Sequence, residues 1–341
     1  MISLTRMLTV SLLSLSLLLA TSEAAEEFTV DKTEHGVTVK LGEYPFAKYD
    51  IVSGPKPFVW PIYGPGGVEM TRAYPMEDRP GESQDHPHHR SLWIGQELVN
   101  GVNYWHEEEH SGKIVHRKFT KTEGGKKATI QVVNDWLDVE GHKILEDRTT
   151  YQFLTLPNDK RAIDVTFRLK ASEGPITWGD TKEGFFAVRV ASSMEVKGKT
   201  NNSSGTIVTS EGKKSYVTPE GDVVKDAWGT RAKWVDYYGD VAGETKGIAV
   251  LNHPSSFRYP TYWHVRVYGL FGANPFGEKA FTGNEEADGT YVQPEGETLM
   301  VRYRVIFHNG TTEEANIEKE FEKYAKVRAK QAAAKKKAKA E

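Results

Sequence analysis

Three of the chain's eleven histidines crowd into Gln84-Asp85-His86-Pro87-His88-His89-Arg90-Ser91-Leu92-Trp93. A segment this short cannot bury three imidazoles in a core of its own, so its residue types point to a polar site. Pro87 lacks an amide hydrogen and pushes His86 toward extended geometry. An extended run puts His86, His88 and Arg90 on one face and turns His89 away. Imidazole can ligate zinc, iron, nickel or copper, and it can also relay protons. His86 and His88, completed by a carboxylate such as Glu183, form one candidate set for a divalent metal. The alternative needs no cofactor and uses the same imidazoles for hydrogen bonding or acid–base work.

Two further stretches carry chemistry. If residues 262–268 form a strand, His264, Arg266 and Tyr268 share one face while Trp263, Val265 and Val267 share the other. That arrangement buries one side and presents a proton-transfer group, a cation and a phenol on the opposite side. Trp178-Gly179-Asp180-Thr181-Lys182-Glu183 places two carboxylates and an ammonium just before a strand. The roles expected are His88 and His264 as a proton-transfer pair and Glu183 as base or metal ligand. Arg90 and Arg266 would hold a carboxylate or stabilise developing oxygen charge, Tyr268 would orient a hydroxyl, and Trp178 joins the substrate-binding set. His106-Glu107-Glu108-Glu109-His110 spells a zinc-protease pattern, but Gly101 and Gly112 leave barely two turns and there is no apolar stripe. A polar strand, a loop or a short surface turn is the expectation there.

These residues need elements to position them. Val37-Thr38-Val39-Lys40-Leu41, Ala128-Thr129-Ile130-Gln131-Val132 and Ile163-Asp164-Val165-Thr166-Phe167-Arg168-Leu169 alternate with period two, as does Val301-Arg302-Tyr303-Arg304-Val305. Glycine, proline and asparagine turns separate them. The pattern predicts an all-β fold, a large antiparallel β-sandwich or supersandwich with a C-terminal helix. A single domain spans 25–310, with long polar and aromatic loops at 53–90 and 252–290. The helix and basic tail occupy 311–341. Thr311 and Glu314 form a capping box, and Ile317, Phe321 and Tyr324 make one apolar face.

Residues 1–24 read as a signal peptide: Arg6, an apolar run from Met7 to Ala20, and small residues at Ser22-Glu23-Ala24. No later stretch approaches the roughly 20 apolar residues of a membrane span, so no integral membrane association is expected after cleavage. The chain has no cysteine, which removes disulfides, thiolate ligands and a cysteine nucleophile. Periplasmic location or secretion from a bacterium follows as the expectation. The formal charge of −3 is nearly neutral, and basic residues cluster only at Lys335, Lys336, Lys337 and Lys339. No nucleic-acid partner is expected.

Together, His86-Pro87-His88-His89-Arg90-Ser91, Trp178-Gly179-Asp180-Thr181-Lys182-Glu183-Gly184 and Trp263-His264-Val265-Arg266-Val267-Tyr268-Gly269-Leu270-Phe271-Gly272-Ala273-Asn274-Pro275-Phe276-Gly277 resemble the bacterial PmoA-like family, also treated as a domain of unknown function. The resemblance covers nearly all of the mature chain. It implies an exported β-sandwich akin to the galactose-mutarotase-like supersandwiches and associated with carbohydrate use. It does not imply the integral-membrane methane monooxygenase subunit, whose spans this chain lacks. The family brings no catalytic set, so the roles above rest on the residues themselves. The expected function is an exported carbohydrate-active enzyme using histidine–carboxylate acid–base chemistry on an oligosaccharide or modified sugar. Epimerisation, elimination and glycoside hydrolysis stay open, although a hydrolase usually wants a defined carboxylate pair. The alternative is a noncatalytic carbohydrate-binding protein with Trp93, Trp105, Trp178 and Trp263 as stacking surfaces.

Overall fold

Period-two alternation produces the expected burial. In the strand Lys160–Lys170, Ile163, Val165, Phe167 and Leu169 point into the core while Thr166 and Arg168 point out. Val301, Tyr303 and Val305 do the same on the neighbouring strand, paired in register with Phe167, Val165 and Ile163. The computed structural model describes residues 26–198 and 204–326. The signal-peptide segment and the lysine-rich end therefore lie outside the described residues.

Two antiparallel sheets enclose the main core. The eight-stranded sheet runs, in spatial order, Phe28–Thr33, Gly36–Leu41, Tyr44–Asp50, Phe58–Ile62, Leu92–Gln96, Gly184–Arg189, Leu270–Asn274 and Tyr262–Val265. The ten-stranded sheet runs Val223–Lys225, Lys214–Val217, Thr206–Thr209, Trp234–Val241, Glu244–Asn252, Thr298–Asn309, Lys160–Lys170, Lys143–Leu156, Ala128–Leu137 and Lys113–Glu123. A two-stranded sheet, Ile176–Trp178 with Tyr291–Gln293, sits apart. The fold is thus an all-β antiparallel sandwich with a short C-terminal helix.

That helix covers residues 317–326. It starts later than expected: the Thr311–Glu314 pair forms, the Thr311 amide donating to Glu314 Oε2 at 2.8 Å and the Glu314 amide to Thr311 Oγ1 at 3.4 Å, but it closes a turn over 312–316, and Asn316 at φ +54° separates that turn from the helix. Ile317, Phe321 and Tyr324 bury against Trp234, Leu251 and Ile306 on the outer face of the ten-stranded sheet. Each such side chain contributes about 1.5–3 kcal/mol by leaving water.

The eight-stranded sheet positions the histidines. Pairing of Val188 with Leu92 and of Arg189 with Leu270 brings three chain segments to one end of adjacent strands. Ser91 accepts a hydrogen bond from the Arg189 amide at 2.7 Å, and Gly269 accepts one from the Val190 amide at 3.1 Å. The strand starting at Tyr262 ends at Val265, short of the expected Tyr268. It turns there because the Arg266 amide bonds Leu270 at 2.7 Å and Gly269 adopts φ +93°, a conformation glycine takes without steric cost. Gly95 matters for a different reason: a Cβ there would lie 2.5 Å from the Tyr104 carbonyl oxygen. Its absence lets the loop 97–112 lie on the sheet and bring Trp105 against Trp93.

Candidate functional site

The histidine segment turns instead of running extended. His86 has φ +46°, and the His89 amide donates to the His86 carbonyl at 3.0 Å. The expected sharing of a face by His86, His88 and Arg90 is therefore corrected: the turn stacks His86 on His89, with centroids 4.7 Å apart and planes 11° apart. Tyr268 stacks on the other face of His86 at 5.1 Å, and His89 stacks on Trp93 at 5.2 Å. His88 meets His86, His89 and His106 edge-on. The result is a column of rings on the outer face of the eight-stranded sheet.

Buried charges hold this column from below. Arg72 and Arg189, both fully buried, share Asp85 at 2.7 and 3.3 Å. Arg189 also reaches Glu195 at 3.1 Å and donates to His89 Nδ1 at 3.2 Å. A guanidinium only donates, so His89 Nδ1 must accept and its proton sits on Nε2. Burial, then His88 and Arg189, hold the His89 imidazole well below its usual range. Burial likewise pushes His88 down to about 2, with Lys56 adding to the effect. Both are neutral rings. Burial raises the Glu195 carboxyl to about 7 against the opposing pull of Arg189.

His86 is the exposed imidazole of the segment, with 38% of its side chain reaching solvent. Its Nδ1 is turned inward, 3.2 Å from Asp85 Oδ1 but off the line of a good hydrogen bond. Nε2 is then the nitrogen that faces outward. Arg90, expected to bind substrate, is instead held by Glu107 through three contacts of 2.7–2.9 Å and donates to the Ser53 carbonyl. Glu107 also pairs with buried Lys56 at 3.0 Å. The loop 106–110 is not helical, in line with the sequence reading of the His-Glu-x-x-His pattern.

His264 has both nitrogens engaged. Nδ1 donates to the Lys182 carbonyl at 2.8 Å, which leaves Nε2 as an acceptor for Arg266 Nε at 3.0 Å. Burial first, then the Arg266 charge, lower its pKa to about 3. This ring orients Arg266 and has no nitrogen left for proton transfer. Glu183 lies 3.9 Å from His264 Nδ1 and 3.0 Å from Lys182 Nζ, with 18% of its side chain exposed. The Arg266 guanidinium lies 5.3 Å over Trp228. Ser215, Lys225, Trp228, Arg266 and Tyr268 line a cavity of about 380 Å³, floored by Val265 and Val267. That volume falls in the small-molecule range of roughly 300–1,000 Å³.

The structure thus gathers His86, Glu183, Arg266 and Tyr268 around one region, with His88 behind His86 and His264 behind Arg266. It does not gather the rest. His86 and His88 meet edge-on at 5.7 Å, and among the described residues no three His, Asp or Glu side chains converge as metal ligands. The expected His86, His88 and Glu183 metal set is not assembled, because the turn at Pro87 separates what an extended run would have aligned. Trp178 is fully buried, stacked on Phe276 at 5.0 Å and donating to Gln293 at 3.0 Å, so it cannot touch a substrate. Trp93, Trp105 and Trp263 are equally buried and offer no stacking surface. Sequence reasoning missed Trp228, Lys225, Asp85 and Arg189. Asp85 lay inside the histidine segment and was legible as its acidic neighbour. Trp228 follows a short turn after a weak strand and gave no comparable signal.

Residues 36–322 match the model of a family described as "Family of unknown function (DUF6807)". No curated protein matches. Among solved structures, the chain is similar to a galactose mutarotase related enzyme from Lactobacillus acidophilus at 9% identity and a TM-score of 0.33, covering 83% of this chain and 98% of that one. It is similar to a glycoside hydrolase family 97 enzyme from Pseudoalteromonas sp. strain K8 at the same identity and TM-score, covering 83% of this chain and 34% of that one. Heparan sulfate lyase HepC from Pedobacter heparinus gives 9% identity and a TM-score of 0.31, covering 84% of this chain and 36% of that one. The chain spans about a third of the length of the latter two. None of these distant likenesses assigns it a reaction. The family match extends over most of the sequence and includes the histidine turn, Glu183 and the Arg266 loop, so this chain belongs to the DUF6807 family.

Proposed function

We propose that the protein is an exported carbohydrate-active enzyme in which His86 and Glu183 move protons on a bound sugar. The observation that carries this reading is the cavity walled by Tyr268 and Arg266. Tyr268 is stacked on the exposed imidazole of His86, and Arg266 is held by a neutral His264 that Glu183 approaches. Asp85 beside His86 Nδ1 favours a proton on that side of the ring and leaves Nε2 for exchange with substrate. Tyr268 orients a hydroxyl, and Arg266 binds a group of opposite charge. Glu183, which lies behind Arg266 next to His264, has no second carboxylate opposite it in the cavity lining, which favours epimerisation or elimination over glycoside hydrolysis. The leader-like sequence of residues 1–24 and the absence of cysteine support export to the periplasm or medium. A noncatalytic sugar-binding module is the second reading, favoured by the two aromatic rings at the cavity.

Turnover of a panel of oligosaccharides and modified sugars, with and without added divalent metal, tests the proposal. Product formation is expected and is abolished by His86→Ala and by Glu183→Gln in folded protein. Saturable binding without product across the panel replaces the enzyme by the binding module. Loss of neither activity in the two variants removes the proposed acid–base pair.

A further inference from the structure

We propose that the cavity's sugar is acidic, a uronic acid residue whose carboxylate is held by the outer edge of Arg266. This rests on the carbohydrate reading above and names the substrate class for the same site. The arginines around it are satisfied from within: Arg72 and Arg189 by Asp85, Arg90 by Glu107. Arg266 has no carboxylate within salt-bridge distance among the described residues, and its one hydrogen bond uses Nε alone. The two terminal nitrogens are left over, and they form the fork that matches a carboxylate's two oxygens.

The fork is also fixed in direction. His264 Nδ1 must donate to the Lys182 carbonyl, so Nε2 carries the lone pair that receives Arg266 Nε. Trp228 lies under the guanidinium face at 5.3 Å. With its plane pinned by an acceptor and an indole, the guanidinium loses less freedom on binding an anion. Lys225 adds a second cation to the lining, which includes no Asp or Glu. A neutral sugar would leave that positive charge without a partner. A carboxylate satisfies it, and the pyranose ring attached to that carboxylate then sits beside Trp228 and Tyr268. His264 is by this account a positioning residue.

Calorimetric titration of the full mature chain with galacturonate and glucuronate oligosaccharides, beside their neutral galactose and glucose counterparts, tests the inference. The acidic sugars are expected to bind about 10- to 100-fold tighter, the range of a charge-assisted bidentate pair. Their affinity is expected to fall with added salt while that of neutral sugars holds. Arg266→Gln removes the preference. Arg266→Lys restores part of it, because charge returns without the fork. His264→Gln weakens acidic-sugar binding while its unfolding midpoint shows the fold retained. Equal binding of acidic and neutral sugars overturns the acidic-substrate inference and leaves the carbohydrate reading standing. Binding of neither class overturns both. An undiminished uronate preference in Arg266→Gln overturns the assignment of the site.

Discussion

The two outer faces of the sandwich both bury polar groups, yet they differ in what those groups are left to do. Under the C-terminal helix, His308 Nε2 lies 2.9 Å from Asp236, and Asp236 accepts from Thr312 at 2.7 Å, all three out of solvent. Arg304 pairs with Asp164 and lies 4.6 Å over Tyr324, and Lys160 meets Glu320 at 3.3 Å. Each of these ties the helix segment to the sheet or one strand to another. Over the eight-stranded sheet, Asp85 and Glu107 likewise satisfy Arg72, Arg189 and Arg90. There, however, a cavity opens beside a guanidinium with its terminal nitrogens unspent and an imidazole reaching solvent. On the function proposed above, the buried histidine–carboxylate pair serves stability, and the donors left over at the cavity serve the ligand.

The comparison breaks most visibly if the closed face proves functional. Asp236→Ala leaves His308 and Thr312 without their shared acceptor, and loss of one partner from a buried pair costs about 3–5 kcal/mol. Urea unfolding should show that loss, while sugar binding per folded molecule stays unchanged. A binding defect at full stability would make the two faces alike. Phe321→Ala should cost about 3 kcal/mol by opening a cavity under the helix, again with the sugar site untouched.

The histidine column sharpens the contrast through pH. His88, His89 and His264 titrate below the ordinary 6.5, each chiefly because burial disfavours the cation. A lowered folded value means that the stability they contribute is present above pH 6.5 and is lost as pH falls below it. Each contributes a slope of about 1.4 kcal/mol per pH unit once the unfolded ring is protonated. Glu195 works in the opposite sense: raised from 4.5 to about 7, its contribution is complete below pH 4.5 and is lost as pH rises through 7. Buried Asp147, raised to about 6, acts with Glu195, and His116, lowered by burial, acts with the three rings, so four rings outweigh two carboxyls and the unfolding free energy measured from pH 7 to 5 should fall. His88→Gln should make that fall shallower, and Glu195→Gln should steepen it. The smallest effect belongs to Trp228→Ala, which removes one stacking wall. Sugar affinity should drop roughly tenfold or less, with little change in the unfolding midpoint.

The strands were legible because a half-buried strand writes its burial pattern directly into alternate residues. Ile163 to Leu169 and Val301 to Val305 point as the pattern says. The helix was legible through the spacing of Ile317, Phe321 and Tyr324, but Thr311 and Glu314 signalled a start six residues too early, because their pair closes a turn ahead of it. The site was legible in its segments but not in its geometry. Extended alternation was assumed for residues 86–90, and a positive φ at His86 rearranged every side chain after it. Trp178 and Trp263 carried the same local signal as a sugar-stacking tryptophan, but packing against Phe276 and Phe271 placed them in the core.

By itself the sequence determined the class of fold, the apolar face of the C-terminal helix and the three segments rich in imidazole, carboxylate and guanidinium, since each follows from neighbours within a few residues. Tertiary structure alone decided which of those groups satisfy one another and which stay free. Asp85 reaches Arg189 across 104 residues, and Lys182 reaches His264 across 82. Hydrogen bonds are exhausted by whichever partner packing supplies first, and no local pattern records that choice.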